Sequence, residues 1–262
     1  MKNIEADPHK VKQKKCWIRA YEELNDFLPT NKRKIKFQHI FSGKVSVKDM
    51  IESIGIPHTE VDMILVNGLS VEFNYIVQNG DQISVYPEFE SFDISGVQKL
   101  RPKPLRKPKF VLDVHLGTLA VYLRMLGFDS VWQNYLTDEQ IVAISKKEKR
   151  AILTRDLGLL KRKEVTRGYW VRNTDPIKQT VEIIQRFDLT KLIKEFSRCL
   201  ECNGKLKKIA KRKVYHRLPE KVKQNQNSFF VCDNCSKIYW HGTHYDKMKE
   251  LIRKIKNQIG EN

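Results

Sequence analysis

Two short apolar runs in this 262-residue chain end on a carboxylate: Phe110-Val111-Leu112 leads into Asp113, and Ile152-Leu153-Thr154-Arg155 into Asp156. Short apolar runs of this kind have the composition of buried strands. In a parallel sheet their carboxyl ends line one edge, the edge where ligands bind in open α/β folds. Further acids follow the neighbouring segments, Asp138 and Glu139 after "SVWQN" and Asp175 after "GYWVRNT". Like charges gathered at one edge repel unless a cation neutralises them. Oxygen donors without clustered His or Cys favour Mg²⁺ or Mn²⁺, ions that activate water and stabilise the charge of a phosphodiester under attack. Each acid also has a purely local use. Asp113 suits the cap of a helix near His115, Asp138 and Glu139 suit the positive end of a helix dipole, and Asp175 before Pro176 suits a turn or helix start. His115, two residues beyond Asp113, is left out of the catalytic set.

A second group is made of sulfur. Cys199 and Cys202 are followed, after 29 intervening residues, by Cys232 and Cys235. Two such pairs offer four thiolates to a tetrahedral Zn²⁺, and a fully ligated ion of this kind has a structural role. His241 and His244 are then expected on the surface or just behind the ligands, because four cysteines complete the site. Lys205, Lys207, Lys208, Lys211, Arg212 and Lys213 lie between the pairs, near Phe229, Phe230, Tyr239 and Trp240. Cations beside stackable rings suit phosphate and base contact; the rings are expected mostly in the small core of a ribbon, the cations on nucleic acid. The fifth cysteine, Cys16, adjoins Trp17 and Ile18 and reads as a buried small hydrophobe.

Charge divides the chain. Residues 1–95 hold 12 Lys/Arg against 14 Asp/Glu, whereas residues 96–262 hold 37 against 17, so the whole excess of +18 belongs to the later part. A field of that sign attracts a polyanion, nucleic acid first. No apolar run approaches the ~18 residues of a membrane span, and the first residues lack an apolar signal core, so no membrane partner and a cytoplasmic location are expected.

The elements that must position these groups fall into segments. Residues 1–15 read as a basic tail. Residues 16–95 give strands "CWIRAYEEL" and "IKFQHIF", a helix "VKDMIESIGI", a hairpin turning at Asn67-Gly68, and a last strand "GDQISVYPEF", a small α+β domain. Residues 96–108, with three prolines and several cations, read as a stiff basic linker. From 109 to 195, strands alternate with helices, which predicts a parallel sheet with helices on its faces. Leu116, Leu119, Ala120, Leu123 and Leu126 share one helical face that Gly127 ends, and Thr137 with Gln140 has capping-box spacing. Residues 196–262 carry the cysteines and end in a basic helix from about Tyr245 to Ile259.

"FVLDVHLGTLAVYLRMLGFD" and "TDEQIVAISKKEKRAILTRDLGLL" resemble the PIN-like ribonuclease domain of the mutator-exonuclease C-terminal type. The resemblance rests on Asp113, Leu116-Gly117, Leu119-Ala120, Leu123-Arg124, Gly127, Asp129, Asp138 and Thr154-Arg155-Asp156. It continues through "CLECNGKL" and "CDNCSKIYWHGTHYDKM", similar to that family's zinc ribbon, and back to residues 16–95, similar to its N-terminal ubiquitin-like domain. It implies an α/β architecture: a β-grasp domain, a PIN-like sheet and a zinc ribbon. It also implies metal-dependent endonucleolytic hydrolysis of RNA. Carried over, Asp113 and Asp156 are metal ligands, Asp138 the third acid, Glu139 its possible substitute and Asp175 a fourth, with Arg155 on phosphate or on a neighbouring acid. Residues 16–95 also resemble ubiquitin-like sulfur carriers in "ILVNGLSVEFNYIVQNGDQISVYPEF", but the strand runs on without a terminal Gly-Gly. That removes carrier chemistry and leaves docking to a protein or the ribosome.

These readings converge on a Mg²⁺- or Mn²⁺-dependent endoribonuclease with a zinc ribbon that binds RNA; whether tRNA, rRNA or mRNA is the target stays open. The alternative is a non-catalytic RNA- or ribosome-binding factor with a vestigial acidic site.

Overall fold

A computed structural model describes residues 13–87 and 108–260 of the chain, which divides into two compact units, Met1–Leu105 and Arg106–Asn262. Most of the expected tail (1–12), the end of the first domain (88–95) and nearly all of the linker (96–107) lie outside the described residues.

The first unit is built from β1 (Gln13–Ala20), β2 (Phe37–Ser42), α1 (Val47–Ser53), β3 (Val61–Val66), β4 (Leu69–Ser70) and β5 (Gln82–Pro87), in the order β2-β1-β5-β3-β4. β1 and β5 run parallel and the remaining pairs antiparallel, the β-grasp arrangement. Alternation along β1 puts Cys16, Ile18 and Ala20 into the core, where they meet Val47, Met50 and Ile51 of α1. Burial pushes the Cys16 thiol up to about 11, the behaviour of a packing residue. Asn67 and Gly68, at φ 51° and 85°, make the left-handed pair that a two-residue hairpin needs. Two expectations shift here. Residues 13–15, assigned to the tail, already pair with β2. The first strand stops at Ala20, because Glu22–Phe27 turns into a 3₁₀ segment.

The second unit opens with β6 (Phe110–Leu112), α2 (Gly117–Met125), β7 (Ser130–Val131), α3 (Asp138–Glu148), β8 (Ala151–Thr154), α4 (Leu157–Leu160), β9 (Gly168–Trp170) and α5 (Pro176–Arg186). Its four strands are all parallel, in the order β7-β6-β8-β9. Every residue of β6 and β8 is buried, as a parallel sheet covered on both faces demands. Phe110, Leu112, Ala151 and Leu153 face α2 and α5, while Val111 and Ile152 face α3 and α4. The five apolar residues expected on one face of the α2 segment are all buried on the first of these sides. At α3 the Thr137 side chain accepts from Gln140 N while the Gln140 side chain receives Thr137 N–H, a complete capping box.

The chain continues through β10 (Leu206–Ile209), α6 (Lys211–Val214), α7 (Glu220–Asn225), β11 (Phe229–Cys232) and β12 (Ile238–Trp240), an antiparallel sheet in the order β10-β11-β12. It then enters α8 (Thr243–Gly260). This last helix was expected with the ribbon, yet its Ile252 and Ile255 are buried in the cluster that covers the parallel sheet, with Met248, Leu251 and Ile259 packed beside them. Residues 109–195 and 196–262 therefore share a core. No helix among the described residues is long and apolar enough to cross a membrane.

Candidate active-site edge and metal centre

From β6 the chain crosses to β7 on one side, then returns past β6 to β8 and β9 on the other. The winding reverses between β6 and β8, and the crevice outside the carboxyl ends of two such strands is the binding position of open α/β sheets. Asp113 and Asp156 flank it. Asp113 is buried, its backbone N–H donating to Leu153 O at 3.0 Å, so it prolongs the β6–β8 ladder. The Thr154 hydroxyl, wholly buried at the end of β8, donates to Asp113 Oδ2 at 2.7 Å and accepts the Asp156 N–H at 2.9 Å. Asp156 itself is exposed and its Oδ1 accepts Gly158 N–H at 2.7 Å, which caps α4.

The other acids at this edge have different partners. Arg162 donates to Asp138 Oδ2 at 3.0 Å and to Glu139 Oε1 at 2.8 Å. The hydrogen bond from Arg162, joined by the Glu139 backbone and Thr137, holds the Glu139 carboxyl down to about 2. Asp175 Oδ1 accepts the N–H groups of Ile177 and Lys178 at 3.0 and 2.9 Å, capping α5. The expected acids thus divide by partner: the Asp113 carboxylate accepts from Thr154, that of Asp156 from Gly158, those of Asp138 and Glu139 from Arg162, and Asp175 caps α5. Arg155 turns its Nη1 to the carbonyls of Val171, Arg172 and Asn173, at 2.9, 2.7 and 2.7 Å. Glu182 meets the same turn from the other side, accepting Arg172 N–H and Asn173 N–H and Nδ2. Between them they fix the loop that leads to Asp175. His115 is exposed.

Among the described residues, one group of three or more His, Cys, Asp or Glu side chains brings its ligand atoms together: Cys199, Cys202, Cys232 and Cys235, all within 4.8 Å of one another. The Cys199–Cys235 and Cys202–Cys232 sulfur separations are 3.6 and 3.3 Å. Four free thiols at such separations fit the donor set of a metal ion such as zinc. A Cβ on Gly204 would stand 2.7 Å from Cys232 Sγ, so the knuckle requires glycine there. Burial works against ionisation of Cys202, but N–H donation at Gly204 and hydrogen bonds from Cys232 and Cys235 outweigh it and bring that thiol to about 6. Tyr239 Oη lies 3.0 Å from Cys199 Sγ. Phe229 is buried with Val214 and Leu218, and Trp240 packs there, while His241 and His244 are exposed. Lys205, Lys207, Lys208, Arg212 and Lys213 are exposed and Lys211 half-buried, its Nζ donating to Asn227 Oδ1 at 3.2 Å.

Sequence reasoning gave no role to the groups that join the two parts of this unit. Arg124, 2% exposed, donates from Nη1 to the carbonyls of Leu200 and Glu201 inside the first Cys pair, at 2.9 and 2.8 Å. Its Nε and Nη2 reach Ser130 O and Trp132 O at 2.8 and 3.2 Å. Asp129 accepts from Arg150, Arg198 and Asn203 at 2.7, 3.1 and 2.7 Å, and Ser130 N–H donates to Asn203 Oδ1 at 3.0 Å. All of this sits where β7 begins. The sulfur centre therefore docks on the amino-terminal edge of the parallel sheet, opposite the carboxylates. Arg124 and Asp129 stand in the stretch that carries the resemblance, but no periodicity or spacing signals what they touch.

Fold and site define a class: an open parallel α/β domain with acids near its switch point and a four-cysteine ribbon built into it, preceded by a ubiquitin-like unit. The model of the Mut7-C RNAse domain matches residues 108–252, and that of the Mut7-C ubiquitin domain matches residues 13–93. The chain belongs to the Mut7-C RNAse domain family. Among curated proteins, none matches it.

Proposed function

We propose that the protein is a metal-dependent endoribonuclease that hydrolyses RNA phosphodiesters at the edge between β6 and β8. The observation that carries this reading is that one hydroxyl at the switch point, that of Thr154, holds both the Asp113 carboxylate and the backbone N–H of Asp156. The donors offered there are all oxygen, which fits Mg²⁺ or Mn²⁺ rather than a softer ion. Such an ion supplies an activated water and charge stabilisation for the phosphorane-like transition state. Asp113 and Asp156 would hold it; Thr154 keeps the Asp113 carboxylate in one orientation; Asp138, with Glu139 beside it, would complete the acidic rim while Arg162 balances its charge. Asp175 serves the edge through the α5 cap. Arg155, placed on the loop carbonyls, orients that rim rather than reaching first for phosphate.

Zinc at the four cysteines has a structural role in this proposal. Lys205, Lys207, Lys208, Lys211, Arg212 and Lys213 contact RNA, and the ubiquitin-like unit docks a protein or the ribosome. The choice of RNA rests on the family.

The second reading, an RNA-binding factor without turnover, draws on one observation: Asp138 and Glu139 are committed to Arg162, so three carboxylates do not converge among the described residues. Incubating end-labelled RNAs with Mg²⁺ or Mn²⁺ separates the two. The first reading expects fragments from the wild type, none from Asp113→Asn, and equal RNA binding by both. Binding without fragments from either protein establishes the second.

A further inference from the structure

We infer that the segment between the two cysteine pairs is an exosite for single-stranded RNA, with Tyr215 as its stacking residue, at the end of the unit remote from the cleavage edge. Residues 203–231 contain nine Lys/Arg and one acid, Glu220, and that acid is paired to Lys223 at 2.6 Å. A surface of this composition binds a phosphate backbone. Charge alone does not distinguish single strands from duplexes; an accessible ring does, because unpaired bases stack on aromatic faces while paired ones are already stacked.

Tyr215 is that ring. It is 49% exposed, follows Lys211, Arg212 and Lys213 directly after α6, and carries the Lys223 ammonium 5.0 Å from its centroid. Its neighbours Val214 and Leu218 are buried in the ribbon's own small core with Phe229, and Arg217 donates to Ser236 O beside the second cysteine pair. The backbone that bears the ring is thus anchored at both sides while the ring points outward, a pre-organised platform. The cluster that anchors it is separate from the two that cover the parallel sheet. It joins the sheet through the first cysteine pair, on the edge opposite Asp113 and Asp156. RNA held at Tyr215 reaches the acids only if the strand is long enough to pass along the domain.

The binding half of this inference stands independently; the length dependence rests on the ribonuclease reading. The test uses the full-length zinc-loaded protein, with Asp113→Asn as the non-cleaving background for binding. Fluorescence anisotropy with a labelled oligouridine 20-mer is expected to show roughly five- to hundredfold weaker binding for Tyr215→Ala. Tyr215→Phe keeps parental affinity, and a duplex RNA of equal length binds Tyr215→Ala as it binds the parent. Equal zinc content and circular dichroism exclude a folding defect. In the cleaving protein, Tyr215→Ala raises KM for long RNA with kcat unchanged and leaves pentanucleotides unaffected. Unchanged oligouridine affinity, or equal losses for single strand and duplex, overturns the exosite. If no RNA is cut but Tyr215→Ala still loses oligouridine, the exosite stands and the ribonuclease reading falls. If RNA is cut and Tyr215→Ala matches the parent at both lengths, the reverse holds.

Discussion

The Thr154 hydroxyl donates a hydrogen bond to the Asp113 carboxylate at Oδ2, 2.7 Å away, and accepts one from the backbone N–H of Asp156 at 2.9 Å. One buried oxygen therefore sets both the orientation of the first carboxylate and the start of the turn that presents the second. A buried acceptor that loses its donor costs ~1–3 kcal/mol. Thr154→Val, which keeps the shape and removes the hydroxyl, is expected to lower stability by about that amount in urea unfolding and to abolish most cleavage. Thr154→Ser restores both. A fully active and stable Thr154→Val protein would remove Thr154 from the site.

Arg162 governs the ionisation of Glu139. Glu139 titrates at about 2 rather than the ordinary 4.5 because the Arg162 hydrogen bond favours its charged form. A carboxyl depressed on folding adds stability that is complete above its unfolded pKa and disappears as pH falls through its folded one. For Glu139 that window runs from about 4.5 down to about 2. Arg162→Gln is expected to return the Glu139 midpoint toward the ordinary range, read by carboxyl ¹³C titration. A midpoint that stays near 2 shows that the backbone and Thr137 suffice.

The same substitution has a consequence for metal. Removing a cation from two carboxylates strengthens the field that attracts a divalent ion, so Arg162→Gln should bind Mn²⁺ several-fold more tightly. Calorimetric titration in excess zinc reads this. Weaker Mn²⁺ binding would instead make Arg162 part of the frame that holds the acids in place.

Arg124 should matter out of proportion to its distance from any reaction. Its guanidinium makes four hydrogen bonds to carbonyls, two of them inside the first cysteine pair. Lysine has no planar fork and cannot reproduce them. Arg124→Lys is expected to cost at least ~2 kcal/mol in chemical denaturation, in line with charged hydrogen bonds, and to release zinc faster to a chromogenic chelator. Loss of stability without faster release would confine Arg124 to the packing of α2.

Local features were legible because their causes are local. The Asn67-Gly68 turn, the Thr137 and Gln140 capping box and the buried face of α2 each depend on residues a few positions apart. That Asp113 and Asp156 follow adjacent parallel strands was legible one level up, since β6 and β8 pair in register. What escaped depends on long-range partners. Arg155 reads as a group for phosphate or a neighbouring acid, and only the fold brings it the carbonyls of Val171, Arg172 and Asn173 just past β9. The α8 segment reads as a basic surface helix, and only its packing shows that Ile252 and Ile255 complete the core of the sheet. Arg124 and Asp129 find partners some seventy residues away, a relation that no periodicity encodes.

Cutting the chain after residue 195 would strip Ile252 and Ile255 from the core and leave the Arg124 guanidinium facing no knuckle carbonyls. The ribbon is therefore a wall of the parallel-sheet domain, not a handle fastened to it. A transplant of the sheet into another protein would have to carry the cysteines and the last helix along, because the core and the Arg124 bonds span both.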